Sequence, residues 1–173
     1  MRPASPSASH PLRLYKKEKL CSVIAIGQLF KPAAGGDAGS GPRSSLAYPV
    51  RMVWRVSPGR RSDAPVQFLV SVPKKRLRHA VDRVLMRRRI REAYRLQRSG
   101  LSVPDGILVD IAFMYVGKGI EPYALVENAM KRLLGRLGRD LAALGDDGCR
   151  AFQGDEPRPT AQPKADDSRE HVE

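Results

Sequence analysis

The sequence predicts a single α+β domain with the element order helix, strands, helix, strand, helix. Three stretches, 46–56, 66–72 and 107–116, either alternate between apolar and polar residues or are almost wholly apolar, as strands are. Two longer stretches, 80–98 and 122–141, repeat apolar residues every three or four positions, which is the period of an α-helix. The 173 residues contain no internal repeat and suit one domain of ordinary size with terminal tails.

The N-terminal part predicts a tail, a helix and a loop. Met1–Pro11 is rich in Pro and Ser, and we expect it to be disordered. An amphipathic first helix is predicted over Tyr15–Lys31, with Leu29 and Phe30 among its apolar residues. The Gly-rich run Gly35–Pro42 then predicts a flexible loop.

The next part of the chain predicts two strands joined by a polar turn. Leu46–Val56 alternates apolar residues such as Trp54 with basic residues such as Arg55, which is typical of a strand. Pro58–Pro65 predicts a turn. Val66–Val72 follows as a second and more buried strand, and it leads directly into a basic loop.

The residues after this strand predict a helix with two distinct faces. Neither Gly nor Pro occurs between His79 and Gly100, which leaves room for about five helical turns. Apolar residues form one stripe at helical spacing: Met86, Ile90, Ala93 and Tyr94. Arginines lie beside the stripe, on the side that we expect to face solvent: Arg83, Arg87, Arg88, Arg91 and Arg95.

The charge of this segment favours a polyanionic partner over a merely solvated helix face. Eleven Lys or Arg residues lie between Lys74 and Arg98, and Asp82 and Glu92 are the only acids there. Solvated faces usually mix signs, because like charges at helical spacing oppose the helix. The formal net charge of the whole chain is +13. These charges favour binding to nucleic acid over binding to a membrane.

The C-terminal part predicts a buried strand, a last helix and an acidic tail. Ile107–Val116 is so apolar that it predicts a central strand, and the last helix is expected to begin near Pro122. Residues 146–173 contain eight Asp or Glu against four Lys or Arg. We therefore predict a folded domain over 12–144 and a disordered acidic tail over 145–173.

Other kinds of chemistry are not indicated. Cys21 and Cys149 lack any CxxC or Cys/His spacing and are typical of reduced cytosolic thiols. Asp110 is alone in an apolar strand, and Asp82 and Glu92 are surrounded by arginines, so no acid–base pair or metal-ligand set is predicted. No apolar run approaches the ~20 residues of a membrane span, and the N-terminus lacks the apolar segment of a secretory signal. We therefore predict a cytoplasmic protein without catalytic or metal-ligating residues.

The basic loop and helix resemble the signature of a known family, the bacterial ribonuclease P protein subunit. The similar stretch, from Val72 to Arg95, reads VPKKRLRHAVDRVLMRRRIREAYR. Val84 and Leu85 stand where the family has asparagine and a second arginine, so the RNA contact is either remodelled or weakened there. The matching residues are Ser71, Val72, Pro73, Lys74, Lys75, Ala80, Val81, Arg83, Arg88, Arg91 and Glu92, with Arg87 in place of a family lysine.

The resemblance covers roughly Leu14–Leu141 and implies a fold. It implies an αβββαβα domain of the ribosomal protein S5 domain 2-like type, with a left-handed crossover between the last two strands, against the usual rule. Gly35–Pro42 looks like an insertion in this fold.

The resemblance also implies a function. Such a subunit assists a catalytic RNA, one protein per RNA, and the RNA hydrolyses precursor tRNA with Mg²⁺ to release the 5′ leader. The cleft between the sheet and the central helix is expected to hold the leader, with Phe30 and Trp54 as aromatic candidates, although burial in the core stays open for both rings. The implied RNA-binding residues are Lys74, Lys75, Arg76, Arg78, Arg83, Arg87, Arg88, Arg91 and Arg95.

Two other functions are compatible with the sequence. A structural RNA-binding protein, such as a ribosomal protein, would share the charge and the fold but bind a different RNA. An RNA-independent nuclease is disfavoured, because no cluster of carboxylates is present to bind its metal ions.

Overall fold

A computed structural model describes residues 13–31 and 41–151 except 59, 61 and 63, with side chains up to residue 144. The predicted N-terminal tail lies outside the described residues, as does most of the predicted Gly-rich loop. The order of the elements, αβββαβα, is confirmed. The elements are α1 (Val23–Phe30), β1 (Arg43–Ala47), β2 (Val50–Val56), β3 (Val66–Ser71), α2 (Ala80–Gln97), β4 (Val109–Tyr115) and α3 (Tyr123–Ala151).

The four strands form one sheet in the order β1-β2-β4-β3. β2 is antiparallel to both β1 and β4, whereas β3 and β4 are parallel and α2 connects them. The predicted strand 46–56 is in fact parts of two strands, because the chain reverses at Tyr48–Pro49 and Ala47 pairs with Val50. The left hand of the crossover stays a prediction.

The helices α2 and α3 pack on one face of the sheet and enclose the larger core. The predicted stripe of α2 is confirmed, since Met86, Ile90 and Ala93 are fully buried there. The ring of Tyr94 lies 4.4 Å from that of Phe68, centroid to centroid. Each fully buried aliphatic side chain contributes roughly 1.5–3 kcal/mol, so this stripe fixes which side of α2 faces solvent.

The helix α1 packs on the opposite face of the sheet, over a smaller core. Leu29 and Leu20 are buried there against Val53 of β2 and Ala112 of β4. The helix begins later than the predicted Tyr15, because the preceding chain follows the edge of β3, where the Leu20 amide donates to the Phe68 carbonyl at 3.0 Å.

The last helix extends further than the sequence predicts. α3 continues to Ala151, beyond the predicted end of the domain at residue 144, and residues 152–173 of the predicted tail lie outside the described part of the chain. None of the helices in the described part is both long and apolar enough to cross a membrane.

Candidate nucleic-acid interface

The outer side of α2 presents a row of arginines to solvent. Arg88 and Arg91 are exposed and Arg87 is half-buried, because the opposite side of the helix faces the sheet. Arg95 belongs to the same row, but its Nη2 lies 2.6 Å from Glu92 Oε1. The Arg95 guanidinium lowers the pKa of the Glu92 carboxyl, so this carboxylate stays charged and offsets part of the row.

The basic loop before α2 is a compact turn whose cations point outward. The amides of Arg76 and Leu77 both donate to the Pro73 carbonyl, at 3.0 and 3.3 Å, which closes the turn. Leu77 is buried and anchors the loop to the larger core. The four cations of the turn are all exposed: Lys74, Lys75, Arg76 and Arg78.

Arg83 connects this loop to the helix. Its side chain is half-buried, and its Nη1 donates to the carbonyls of Leu77 and Arg78 at 3.1 and 2.6 Å. Its position in the arginine row predicts an RNA contact, but its guanidinium holds the loop in place. We name the remaining residues of the loop and row the α2 basic surface: Lys74, Lys75, Arg76, Arg78, Arg87, Arg88, Arg91 and Arg95.

The two apolar residues that depart from the family pattern lie on this surface. Val84 is 43% exposed and Leu85 is 37% exposed. Val81, one turn earlier, is 77% exposed, so an apolar strip runs along the arginine row. These side chains are therefore not buried against another element.

A groove lies on the opposite face of the sheet, between α1 and the strands. Its volume is about 460 Å³. Beside it, Arg55 of β2 donates from Nη1 to Gln28 Oε1 of α1 at 2.5 Å. The residues that line the groove include Lys19, Cys21, Ile24, Gln28, Ser57, Arg60, Gln67 and Asp110.

The base of this groove contains a buried ion pair that the sequence analysis missed. Asp110 is only 1% exposed, and its Oδ1 lies 2.5 Å from Nη1 of Arg60, while Ser57 donates to its Oδ2 at 2.6 Å. The lone aspartate in an apolar strand was the available signal, because a buried carboxylate requires a partner. Its partner Arg60 lies fifty residues earlier, in the predicted polar turn, so spacing alone could not identify it.

The leader cleft stays a prediction, but most of its predicted position between the sheet and α2 is filled. The space between the sheet and α2 is filled by the larger core, in which Met86 and Ile90 are fully buried. Trp54 belongs to that core, is 1% exposed and is covered by the Arg43 guanidinium, 5.4 Å from its ring centroid. Phe30, by contrast, is 48% exposed at the end of α1. An open groove on the sheet lies beside α1.

Three of the carboxylates in the described region pair with arginines. Glu18 pairs with Arg98 at 2.6 Å, in addition to the two pairs above. The described residues contain no group of three or more His, Cys, Asp or Glu that could hold a metal ion. The geometry is that of a protein that binds a polyanion, with an α+β fold and basic groups on the outside of its helical layer.

Comparison with known proteins identifies the family. The ribonuclease P family model matches residues 47–138. A protein of Porphyromonas gingivalis described as ribonuclease P protein component is 34% identical over 138 residues, which cover 78% of this chain and 89% of the relative. The protein of the same description from a second strain is 34% identical over 128 residues, which cover 72% and 82%.

The chain therefore belongs to the ribonuclease P protein family. It is the protein subunit of an endoribonuclease holoenzyme, and the role of that holoenzyme is the maturation of tRNA at the 5′ end.

Proposed function

We propose that the α2 basic surface binds the catalytic RNA of ribonuclease P. The single observation that carries this proposal is the division of α2 into a buried apolar stripe and an arginine row that is exposed or half-buried. The stripe holds the helix in one orientation, so its cations project from a helix that is already formed before RNA binds. Each phosphate that they neutralise releases counterions from the RNA, which supplies affinity that falls with salt.

We further propose that the groove beside α1 takes the single-stranded leader of precursor tRNA. The exposed ring of Phe30 offers a stacking surface, and the exposed Arg51 of β2 supplies positive charge on the same face of the sheet. Arg51 pairs in register with Met114, and Met114 pairs with Ser71, the last residue of β3. The chain passes from Ser71 into the basic loop, so this end of the sheet adjoins the α2 basic surface.

In this proposal the hydrolysis takes place on the RNA subunit. The Mg²⁺ ions that it requires are held by RNA, since the described residues of the protein contain no group of three or more His, Cys, Asp or Glu that could hold a metal ion. The protein neutralises phosphates, orients the leader and acts in the cytoplasm with one copy per RNA.

A salt titration of binding to the cognate catalytic RNA tests the proposal. Arg87→Ala and Arg91→Ala should each flatten the slope of log affinity against log salt by roughly 0.7–0.9, if each side chain neutralises one phosphate. The melting temperature should not change, because neither side chain belongs to the apolar stripe. An unchanged slope for both variants would place the RNA elsewhere on the protein, and co-purification of a different RNA would indicate another RNA-binding role.

A further inference from the structure

A second basic surface lies on the outer side of α3 and shares no residue with the α2 basic surface. Four exposed cations surround Gly135 and line a shallow groove of about 450 Å³: Lys131, Arg132, Arg136 and Arg139. Nothing lies within 4 Å of the position that a Cβ on Gly135 would occupy. The glycine therefore leaves open space in the middle of the four cations. We name these five residues the α3 basic surface.

The packing of α3 fixes the direction of this surface. The side of the helix that faces the sheet is buried, and its residues include Val126, Met130, Leu133, Leu137 and Leu141. At 100° per residue, Lys131, Arg132 and Arg139 fall on the opposite side, and Arg136 leans toward β1. The four cations therefore point away from the sheet or along its β1 edge.

The hydrogen bonds of these cations go to neutral acceptors and not to carboxylates. Arg136 Nη1 donates to the Leu46 carbonyl of β1 at 3.1 Å, and Arg139 Nε donates to the Gly135 carbonyl at 3.3 Å. Both acceptors are neutral, and the ion pairs found among the described residues do not include any of the four. Like charges this close destabilise a helix, and a bound polyanion removes that cost.

The position of α3 in the fold identifies which RNA it faces. α2 and α3 pack against each other on the same face of the sheet, so the outer sides of both helices point away from it. The groove proposed for the leader lies on the other face. An RNA bound along α2 can therefore extend over α3, whereas a leader in the α1 groove cannot.

We propose that the α3 basic surface is a second phosphate-binding site for the catalytic RNA. This inference rests on the proposed function, because it takes the same RNA to be bound by α2. It enlarges the RNA-binding surface of the protein from α2 to the outer sides of both α2 and α3. Gly135 lets the sugar–phosphate backbone approach the helix closely between the cations.

Binding of the full-length protein to the catalytic RNA, measured over a range of salt, tests this site. The double variant Arg132→Ala with Arg139→Ala should flatten the slope of log affinity against log salt by roughly 1.4–1.8, the sum for two phosphates. The matched control is Lys16→Ala with Lys17→Ala, which removes two exposed cations from the turn beside β3. It lowers the net charge equally and should leave the slope nearly unchanged.

Gly135 provides a second pair of variants. Gly135→Glu places a carboxylate among the four cations and should weaken RNA binding, most strongly at low salt. Gly135→Ala should bind as the unchanged protein does, because an alanine Cβ meets open space. Equal melting temperatures of the variants, or a slightly higher one for the alanine, would show that folding is intact.

Three results overturn the inference while leaving the proposed function in place. One is an unchanged slope for the arginine double variant when Arg87→Ala still flattens it. Another is a change in slope for the arginine double variant that is equal to the change for the lysine control, which would show a general effect of net charge. The third is a loss of affinity for precursor tRNA in the arginine double variant while its affinity for the catalytic RNA is unaffected. If Arg87→Ala and Arg91→Ala also left the slope unchanged, the proposed function itself would be rejected.

Discussion

At the scale of single residues, Val84 and Leu85 are where this chain departs most from the family pattern. Both are exposed within an arginine row, so neither contributes a core contact that a polar replacement would destroy. A valine cannot donate a hydrogen bond to a phosphate, whereas a charge-assisted bond contributes roughly 1.5–3 kcal/mol where it forms. The departure therefore affects RNA affinity and leaves the fold unaffected.

The double variant Val84→Asn with Leu85→Arg should bind the catalytic RNA more tightly and cleave at lower magnesium. The melting temperature should stay close to that of the unchanged protein. Affinity and melting temperature, measured on the same preparation, check this. A fall of many degrees would mean that these side chains are buried in solution, and unchanged affinity would mean that the RNA does not reach this part of α2.

The Arg60–Asp110 pair makes a prediction about stability. Arg60→Met should destabilise the protein by about 3–5 kcal/mol, because it leaves a carboxylate buried without its cation. Adding Asp110→Leu to that variant should recover much of the loss, since two apolar side chains can replace a buried pair at little cost. Denaturant unfolding of the single and double variants measures both effects. If the single variant lost less than about 1 kcal/mol, the pair would be solvated and not buried.

At the scale of elements, the helix α2 was predictable and the helix α1 was only partly so. The helix α2 has 18 residues without Gly or Pro, so the period of its apolar stripe is unambiguous. α1 has only 8 residues, and the apolar residues before it belong to a segment that pairs with β3. A periodicity over one sequence window cannot distinguish a helix from an extended segment beside it, because both bury apolar side chains.

The loop before α2 depends on Arg83, and this can be measured. Arg83→Ala removes the bonds to the Leu77 and Arg78 carbonyls, so amide hydrogen exchange over 73–78 should become faster and RNA affinity should fall. If Arg83 acts through the loop, its effect and that of Lys74→Ala should not add, and a double-mutant cycle should give a coupling of about 0.5–3 kcal/mol. Additive losses of RNA affinity, together with unchanged amide hydrogen exchange over 73–78, would instead assign Arg83 a direct phosphate contact.

At the scale of the whole molecule, the sheet separates two surfaces of different character. The helical layer carries the α2 and α3 basic surfaces, and the opposite face carries the groove beside α1. Composition and spacing predicted the fold class and the cations of α2, because both are local properties of the sequence. They could not predict which face of the sheet is open, because that depends on how α2, α3 and α1 pack on it.

Removal of the chain ends tests where the folded unit stops. Deletion of residues 1–11 together with 152–173 should leave the melting temperature nearly unchanged, because both segments are poor in apolar residues. Deletion from residue 137 onward should lower it strongly, since Leu137 and Leu141 are fully buried. Thermal unfolding of the two truncated proteins checks this. If the protein without residues 1–11 and 152–173 melted several degrees lower, a terminal segment would pack on the domain.

Reconstitution with the cognate catalytic RNA tests the central claim most directly. The purified protein should allow that RNA to remove the 5′ leader from precursor tRNA at a magnesium concentration at which the RNA alone is nearly inactive. The variant Arg87→Ala with Arg91→Ala should require more magnesium for the same rate, while the protein without RNA should not cleave. Cleavage at low magnesium that is no faster with the protein than without it would contradict the account, as would cleavage by the protein alone.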